Sequence, residues 1–371
     1  MKRLALIGFI LATWLSSPAK ASELVDCPLR DAPFGLASPL IDVLLSPTAR
    51  AAVDREQPGL LKLLPPFFQT TKPPGFSAIL TLNEAAAMQH MTPDKLAGLE
   101  RALAAVPVTD ADRVARCARY DTAPPDLTIP AGRPRLLLFE KINGFRDGPS
   151  VTAAHAAFVE LARRNGWSIV TTDKGAAFTP AVLSHFNAVI WNNVSGDVLT
   201  LSQRSAFRTY VEGGGGFVGV HGSGGDPVYF WDWYADTLIG ARFAGHPLVK
   251  HFQTARVQID DVNHPVSRGL PAQWDMYEEW YSFKSNPRAA GSDIIATLDE
   301  KTYDPTGMPG QDLRMGDHPI AWTRCVRRGR AFYSAIGHRP EGYSNPIYVR
   351  MLEQAIAWSA GLDGNICPAV K

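Results

Sequence analysis

The chain has 371 residues, 46% of them hydrophobic and 20% charged, with 37 basic against 36 acidic side chains. That is globular composition, and it excludes disordered, collagenous and coiled-coil classes. The near-zero net charge excludes a broadly basic surface that neutralises many phosphates, so nucleic acid is not an expected partner. The length suits two domains, or one large domain with an appendage.

The N-terminus reads as a secretory signal over 1–21. Lys2 and Arg3 precede an apolar run, 4–15, and Ala19-Lys20-Ala21 supplies a small-x-small cleavage site. The run is shorter than the roughly 20 residues that a membrane-spanning helix needs. Cleavage would leave Ser22 first, rather than the cysteine of a lipid anchor, and would remove Lys2, Arg3 and Lys20 but no acid. No later segment is apolar enough to span a bilayer. The expectation is a periplasmic or secreted protein with no membrane insertion after signal removal.

Residues 22–120 read as a small helical module. Leu40, Val43, Leu44 and Leu45 lead into the helical stretch 49–53, with Ser38 as its expected N-cap. Thr92-Pro93-Asp94 opens a second helix with proline at its first position, and Leu96, Leu99 and Leu103 share one face. Pro58, Pro65-Pro66 and Pro73-Pro74 punctuate the interval. The module carries no dense set of His, Cys and carboxylates, so packing or docking is its expected role. The proline-rich stretch 121–133 reads as a linker.

Beyond the linker the pattern changes. Runs at 135–140, 168–172 and 188–191 suit buried parallel strands, and the intervening 151–165 and 180–185 are amphipathic. A helix at 202–212, a glycine turn at 213–216 and a strand at 217–221 follow. Further strands lie in 255–335, a helix at 346–360 closes the domain, and 362–371 is a tail. This alternation predicts a doubly wound, mostly parallel α/β domain over 134–361.

Four cysteines, Cys27, Cys117, Cys325 and Cys367, allow three pairings. Cys27–Cys117 with Cys325–Cys367 is favoured, because each bridge then closes within one domain. There is no CxxC, and hence no support for a zinc ribbon or a thioredoxin-type site.

The glycines at 213–216 are not a phosphate loop. Such a loop follows a strand and opens a helix, whereas these follow a helix and precede a strand. The strand they open ends in Gly219-Val220-His221-Gly222-Ser223-Gly224, the layout of a nucleophile elbow. Its tip is His221, where a hydrolase has Ser and an amidotransferase Cys. Imidazole there can act as ligand, base or hydrogen-bonding group, but it cannot run thiolate chemistry. None of the four cysteines lies at an elbow, which excludes glutamine amidotransferase activity. Ser223 is a minor candidate nucleophile.

At this point the chain resembles the ThuA-like (trehalose utilisation) domain family. The resemblance is carried by Gly144-Phe145-Arg146, the strand 188–191, Tyr210-Val211 with the stretch 213–221, and Trp233-Tyr234 ahead of Leu238-Ile239-Gly240. It continues through Phe243 with His246-Pro247, Asn263-His264-Pro265, Glu278-Glu279-Trp280-Tyr281-Ser282-Phe283, Asp317-His318-Pro319-Ile320-Ala321-Trp322, Gly329-Arg330-Ala331 and Gly337-His338. It implies a fold like that of class I glutamine amidotransferases, with His in place of their Cys, and metabolism of disaccharides or their keto derivatives. After Gly-Phe-Arg the family commonly shows His, whereas this chain has Asp147, which as a ligand or base would bring different pH behaviour.

Loops at the carboxyl ends of parallel strands converge on one crevice, so distant motifs can meet. The expected site there comprises Glu279 and His221 as catalytic groups, with His221, His246 and His338 as ligands if a divalent metal binds. Asp147, Trp233, Tyr234, Trp280, Tyr281 and His318 are the expected contacts to a small-molecule carbohydrate. Indole and phenol faces stack on sugar C–H faces while hydroxyls take hydrogen bonds. Desolvation between Trp280 and Tyr281 is expected to raise the pKa of Glu279 toward neutrality. Two function classes follow: an enzyme cleaving or converting a glycoside or keto-sugar by acid–base chemistry, or a non-catalytic carbohydrate-binding protein. A convergent acid–base cluster would favour the first. No residue pattern bears on oligomeric state.

Overall fold

The computed structural model describes residues 25–308, 310–363 and 367, and the expected signal over 1–21 lies outside the described residues. The N-terminal helices are α1 (Leu40–Leu45), α2 (Pro47–Glu56), α3 (Leu82–Ala87), α4 (Pro93–Ala104) and α5 (Asp110–Cys117). They gather around their own apolar cluster, including Leu40, Val43, Val53, Leu82, Leu99 and Leu103. Ser38 is not the cap expected of it. Pro39 precedes α1 without a side-chain cap, and Ser38 Oγ instead accepts the Gly35 N–H at 3.0 Å. Ser46-Pro47 then breaks the run in two, with the Ser46 hydroxyl accepting the Ala49 N–H at the start of α2. Proline has no N–H to donate, so it suits a helix's first turn and not its interior.

The remainder alternates: β1 (Arg135–Phe139), α6 (Gly148–Asn165), β2 (Ser168–Thr172), α7 (Pro180–Leu183), β3 (Ala188–Asn192), α8 (Leu201–Glu212) and β4 (Gly216–Val220). Next come β5 (Phe243–Gly245), β6 (Phe252–Ile259), β7 (Gln273–Glu279), β8 (Ser282–Phe283), β9 (Asp293–Asp299), β10 (Pro319–Val326), β11 (Gly329–Ser334) and α9 (Pro346–Ser359). The main sheet has the order β2-β1-β3-β4-β11-β10-β9-β6-β7, and β5 pairs with β8 in a small separate ladder. From β2 to β11 the neighbours are parallel. Leu136 to Phe139, Val189, Ile190, Phe217 and Val218 are fully buried, as strands covered on both faces require. The fold is the expected doubly wound α/β type.

The other half of the sheet is antiparallel, from β11 through β10, β9 and β6 to β7. Two disulfides join Cys27 to Cys117 and Cys325 to Cys367, which is the favoured pairing. Among the described residues no helix is long and apolar enough to cross a membrane.

Candidate functional site

His221 is the first residue after β4, at the carboxyl end of a central strand. Its φ is +40°, a backbone state that non-glycine residues enter at a cost and that clusters at functional sites. The strain is held from several sides. Tyr333 Oη donates to the His221 carbonyl at 2.8 Å, and Gly222 N–H donates to Asn193 Oδ1 at 3.2 Å. His221 Nδ1 faces the Ala335 carbonyl at 2.8 Å. A carbonyl only accepts, so Nδ1 carries a proton and Nε2 is the nitrogen turned toward Glu279. Ser223, two residues on, is buried with its hydroxyl donating to Trp191 O and accepting the Val194 N–H. It has no open side from which to attack a substrate.

Glu279 ends the edge strand β7, yet its carboxylate meets side chains from several other segments. His221 Nε2 lies 3.2 Å from Oε2 and His338 Nδ1 lies 2.9 Å from the same oxygen. His246 Nδ1 lies 3.4 Å from Oε1, and His251 Nε2 hydrogen-bonds that oxygen. The β5–β8 ladder brings His246 in, because Gly245 pairs with Ser282, close to Glu279 in the chain. His251 arrives through the β6–β7 pairing, in which its neighbour Phe252 faces Glu279. His338 follows the loop after β11. Asp147, before α6, takes a hydrogen bond from Ser150 and lies 3.7 Å from His338 Nε2.

The electrostatics reverse one expectation. Burial pushes the Glu279 carboxyl up, but hydrogen bonds from His221, His251 and His338 outweigh it and hold the group well below the carboxylate range. The carboxyl pushed up, to about 8, is that of Glu278, whose burial is only partly offset by N–H donors from Glu279 and Arg339. Two adjacent glutamates on one strand thus differ because alternate residues face opposite sides. Among the imidazoles, burial lowers His246. Burial also pulls His338 down, but its hydrogen bond to Glu279 outweighs that pull and its pKa is raised.

The expected aromatic contacts sit elsewhere. Trp280 is 1% exposed and donates its indole N–H to Gln253 O. Trp233 packs against Trp231 and donates to Glu212, and Tyr234 is buried with its hydroxyl on Ser223 O. Trp280 and Tyr234 offer no face to a sugar, and the half-buried Trp233 has Arg208 over its ring at 5.7 Å. Tyr281 is buried too, but it reaches the site: its ring stacks on His221 at 4.3 Å and its hydroxyl hydrogen-bonds with His221 Nε2 at 2.9 Å. His318 stands behind it, with Nε2 on the Tyr281 carbonyl and Nδ1 on Glu300. The rings next to the cluster are Phe145 and Phe252, 6.0 and 5.1 Å from His338, with Tyr277 beyond Phe252. Arg339 lies over the Phe252 and Tyr277 rings at 5.3 and 5.4 Å, and Phe145 is the exposed ring beside His338.

Sequence reasoning missed His251. Its one signal is position: it immediately precedes a strand that pairs in register with the Glu278-Glu279 strand, and that pairing is a tertiary fact.

Residues 135–359 match the family described as ThuA, trehalose utilisation. A ThuA-like protein of Bacteroides uniformis is similar at 26% identity and a TM-score of 0.54, covering 64% of this chain and 95% of that one. A ThuA-like protein of Parabacteroides merdae matches at 17% identity and a TM-score of 0.46, covering 64% of this chain and 92% of the other. No curated protein matches.

Proposed function

The chain belongs to the ThuA (trehalose utilisation) family, and from that premise we propose that it is an exported enzyme that converts a glycoside or keto-sugar by carboxylate–imidazole chemistry. One observation carries the reading: a buried carboxylate, Glu279, ringed by four imidazoles at the sheet's crevice. A protein that merely holds a sugar needs stacking faces and neutral polar groups, not a buried anion with convergent proton carriers. The exposed Phe145 ring beside His338 supports a sugar ring seated over the cluster.

Within this reading His251 moves the proton and Glu279 orients it. Glu279 is too weak a base to carry the proton itself, and it is anionic throughout the neutral range. With Glu279 Oε1 holding His251 Nε2–H, the Nδ1 lone pair is free to accept, and the side chain is 39% exposed. A carbonyl two carbons from the glycosidic carbon, as in a 3-keto-glycoside, acidifies the C–H on the carbon between them. His251 takes that proton, the C–H electron pair forms a C=C bond, and the C–O bond to the leaving sugar breaks. The departing oxygen then takes the proton back from His251. No nucleophile is required, which accounts for an elbow lacking Ser or Cys at its tip.

Turnover of a panel of disaccharides and their 3-keto forms tests this reading. His251→Ala should lower turnover by roughly 10²–10⁴-fold, the usual contribution of a general acid–base group, and Glu279→Gln should lower it by releasing His251 from its orientation, with sugar binding nearly intact in both. Unchanged turnover in either variant removes that residue from the mechanism. Sugar binding with no turnover by the native protein would establish a binding protein instead.

The two disulfides and the lack, among the described residues, of a membrane-crossing helix are compatible with a periplasmic or extracellular setting and support the export reading.

A further inference from the structure

We infer that the Oε2 side of Glu279 is a divalent-cation site, with His221 Nε2, His338 Nδ1 and Glu279 Oε2 as its three protein ligands. These atoms lie within 4.8 Å of one another, and three ligands of the His₂Glu type leave an open position for substrate. The ligand set differs from the sequence expectation, since Glu279 replaces His246.

The side-chain geometry points to a cation. Two imidazole nitrogens converge on one buried carboxylate oxygen, with His221 Nε2 3.2 Å and His338 Nδ1 2.9 Å from Glu279 Oε2. Such a meeting needs positive charge, and a cation displaces the protons that otherwise supply it. His221 Nδ1–H is held by the Ala335 carbonyl, which leaves Nε2, with Tyr281 Oη 2.9 Å away, as the nitrogen for the cation. His338 sits between two carboxylates, Glu279 on Nδ1 and Asp147 on Nε2. A cation at Oε2 takes Nδ1 as its ligand and leaves the proton on Nε2, facing Asp147. The Ala335–His221 hydrogen bond is the outer partner that a metal-bound imidazole normally has. Asp147, 3.7 Å from His338 Nε2, acts on that ring as a nearby negative charge.

The second cluster around Glu279, formed by His246 and His251 at Oε1, does not satisfy the same condition. His246 Nδ1 faces the Pro247 carbonyl at 2.9 Å, so the nitrogen nearest Glu279 already carries its proton. Glu279 thus serves two sides, with the cation at Oε2 and the His251 hydrogen bond at Oε1. Imidazole with carboxylate suits zinc, cobalt or manganese rather than calcium or magnesium. The cation site rests on the proposed function only for what the cation does there, which is to polarise the sugar carbonyl oxygen.

Titration of chelator-stripped full-length protein with Zn²⁺ and Co²⁺ by calorimetry tests the site, with metal content and the Co²⁺ visible spectrum as second readouts. One ion per chain is expected. Binding should be lost in His221→Ala and His338→Ala with the fold intact by circular dichroism, weakened about 10–100-fold in Asp147→Asn, and retained in His251→Ala. If the alanine variants unfold, perturbation of the Co²⁺ spectrum by Asp147→Asn decides the matter. No ion bound by the native protein, or binding abolished by His251→Ala and untouched by Asp147→Asn, overturns the site. Sugar turnover by protein that binds no ion would refute the cation site and leave the enzyme reading standing. One bound ion with no turnover would do the reverse.

Discussion

Ser223 and His221 stand two residues apart on one elbow, and the structure separates their roles by hydrogen bonding. The Ser223 hydroxyl bridges Trp191 O and Val194 N–H, tying the elbow to the loop after β3. Ser223→Ala should therefore leave turnover unchanged but lower stability by about 1–3 kcal/mol, the cost of orphaning buried backbone groups. Denaturant melts alongside kinetics separate the two effects, and a large loss of turnover in a folded variant would restore Ser223 as a nucleophile. The aromatic residues divide in a similar way. Trp233, Tyr234 and Trp280 have the chemistry to stack on sugars, but their faces are spent on packing and their polar tips on Glu212, Ser223 and Gln253. Type and neighbourhood in the chain reveal what a ring can do, not which side of it is free.

At the scale of elements, the loops that follow the strands are locked to each other before any ligand arrives. Asp226, just beyond the elbow turn, is buried and accepts Ser195 Oγ–H and Gly196 N–H from the loop after β3. Burial raises its pKa to about 7, against the pull of those two donors. A carboxyl whose folded pKa is raised stabilises most below its unfolded pKa, and the contribution is lost as pH rises through the folded value. From the shift of 3.8 to about 7, the native protein should lose on the order of 4 kcal/mol between those two values, and no more above them. Asp226→Asn, which keeps both partners but cannot ionise, should flatten this part of the profile. Denaturant midpoints of both proteins from about pH 4.5 to 8 measure it, and parallel profiles would show that Asp226 does not titrate in that window. The elements themselves were largely legible. The runs behind β1 and β3 are continuous and apolar because both sheet faces are covered, whereas β2, expected to be buried, is the half-buried edge strand with three hydroxyl residues among its five. Thr92-Pro93 starts α4 as its chemistry requires.

Across the whole molecule, the N-terminal helices do more than fill space beside the sheet. Gly75 N–H bonds the Asn143 carbonyl, and Phe76 packs on Phe145, whose ring reaches His338. The module thus buttresses the loop that carries Asp147. Its own closure depends on Cys27–Cys117, which spans 90 residues, while Cys325–Cys367 spans 42. By chain entropy each bridge is worth about 4–5 kcal/mol at most. Mass spectrometry of the protein recovered from its producing cell should find Ser22 first and no alkylatable thiol, and reduction should lower the melting temperature. Retention of Met1, or four reactive thiols, would refute export.

What the sequence by itself determined was local or periodic: the α/β alternation, the helical N-terminal stretch, the elbow at His221, and a family whose motifs occur in order along the chain. Those features are written in neighbouring residues, where apolar period, proline and glycine act directly on the backbone. What only the tertiary structure decided was which side chains share a space and which atoms of them face each other. His251 joins the cluster because β6 pairs with β7 in one register, and Glu278 turns away while Glu279 turns in because of that same register. The Glu279 pKa runs opposite to expectation for the same reason. Desolvation could be read from the flanking aromatics, but the hydrogen bonds that outweigh it come from residues distant in the chain, brought to that oxygen pair only by the assembled sheet and its loops.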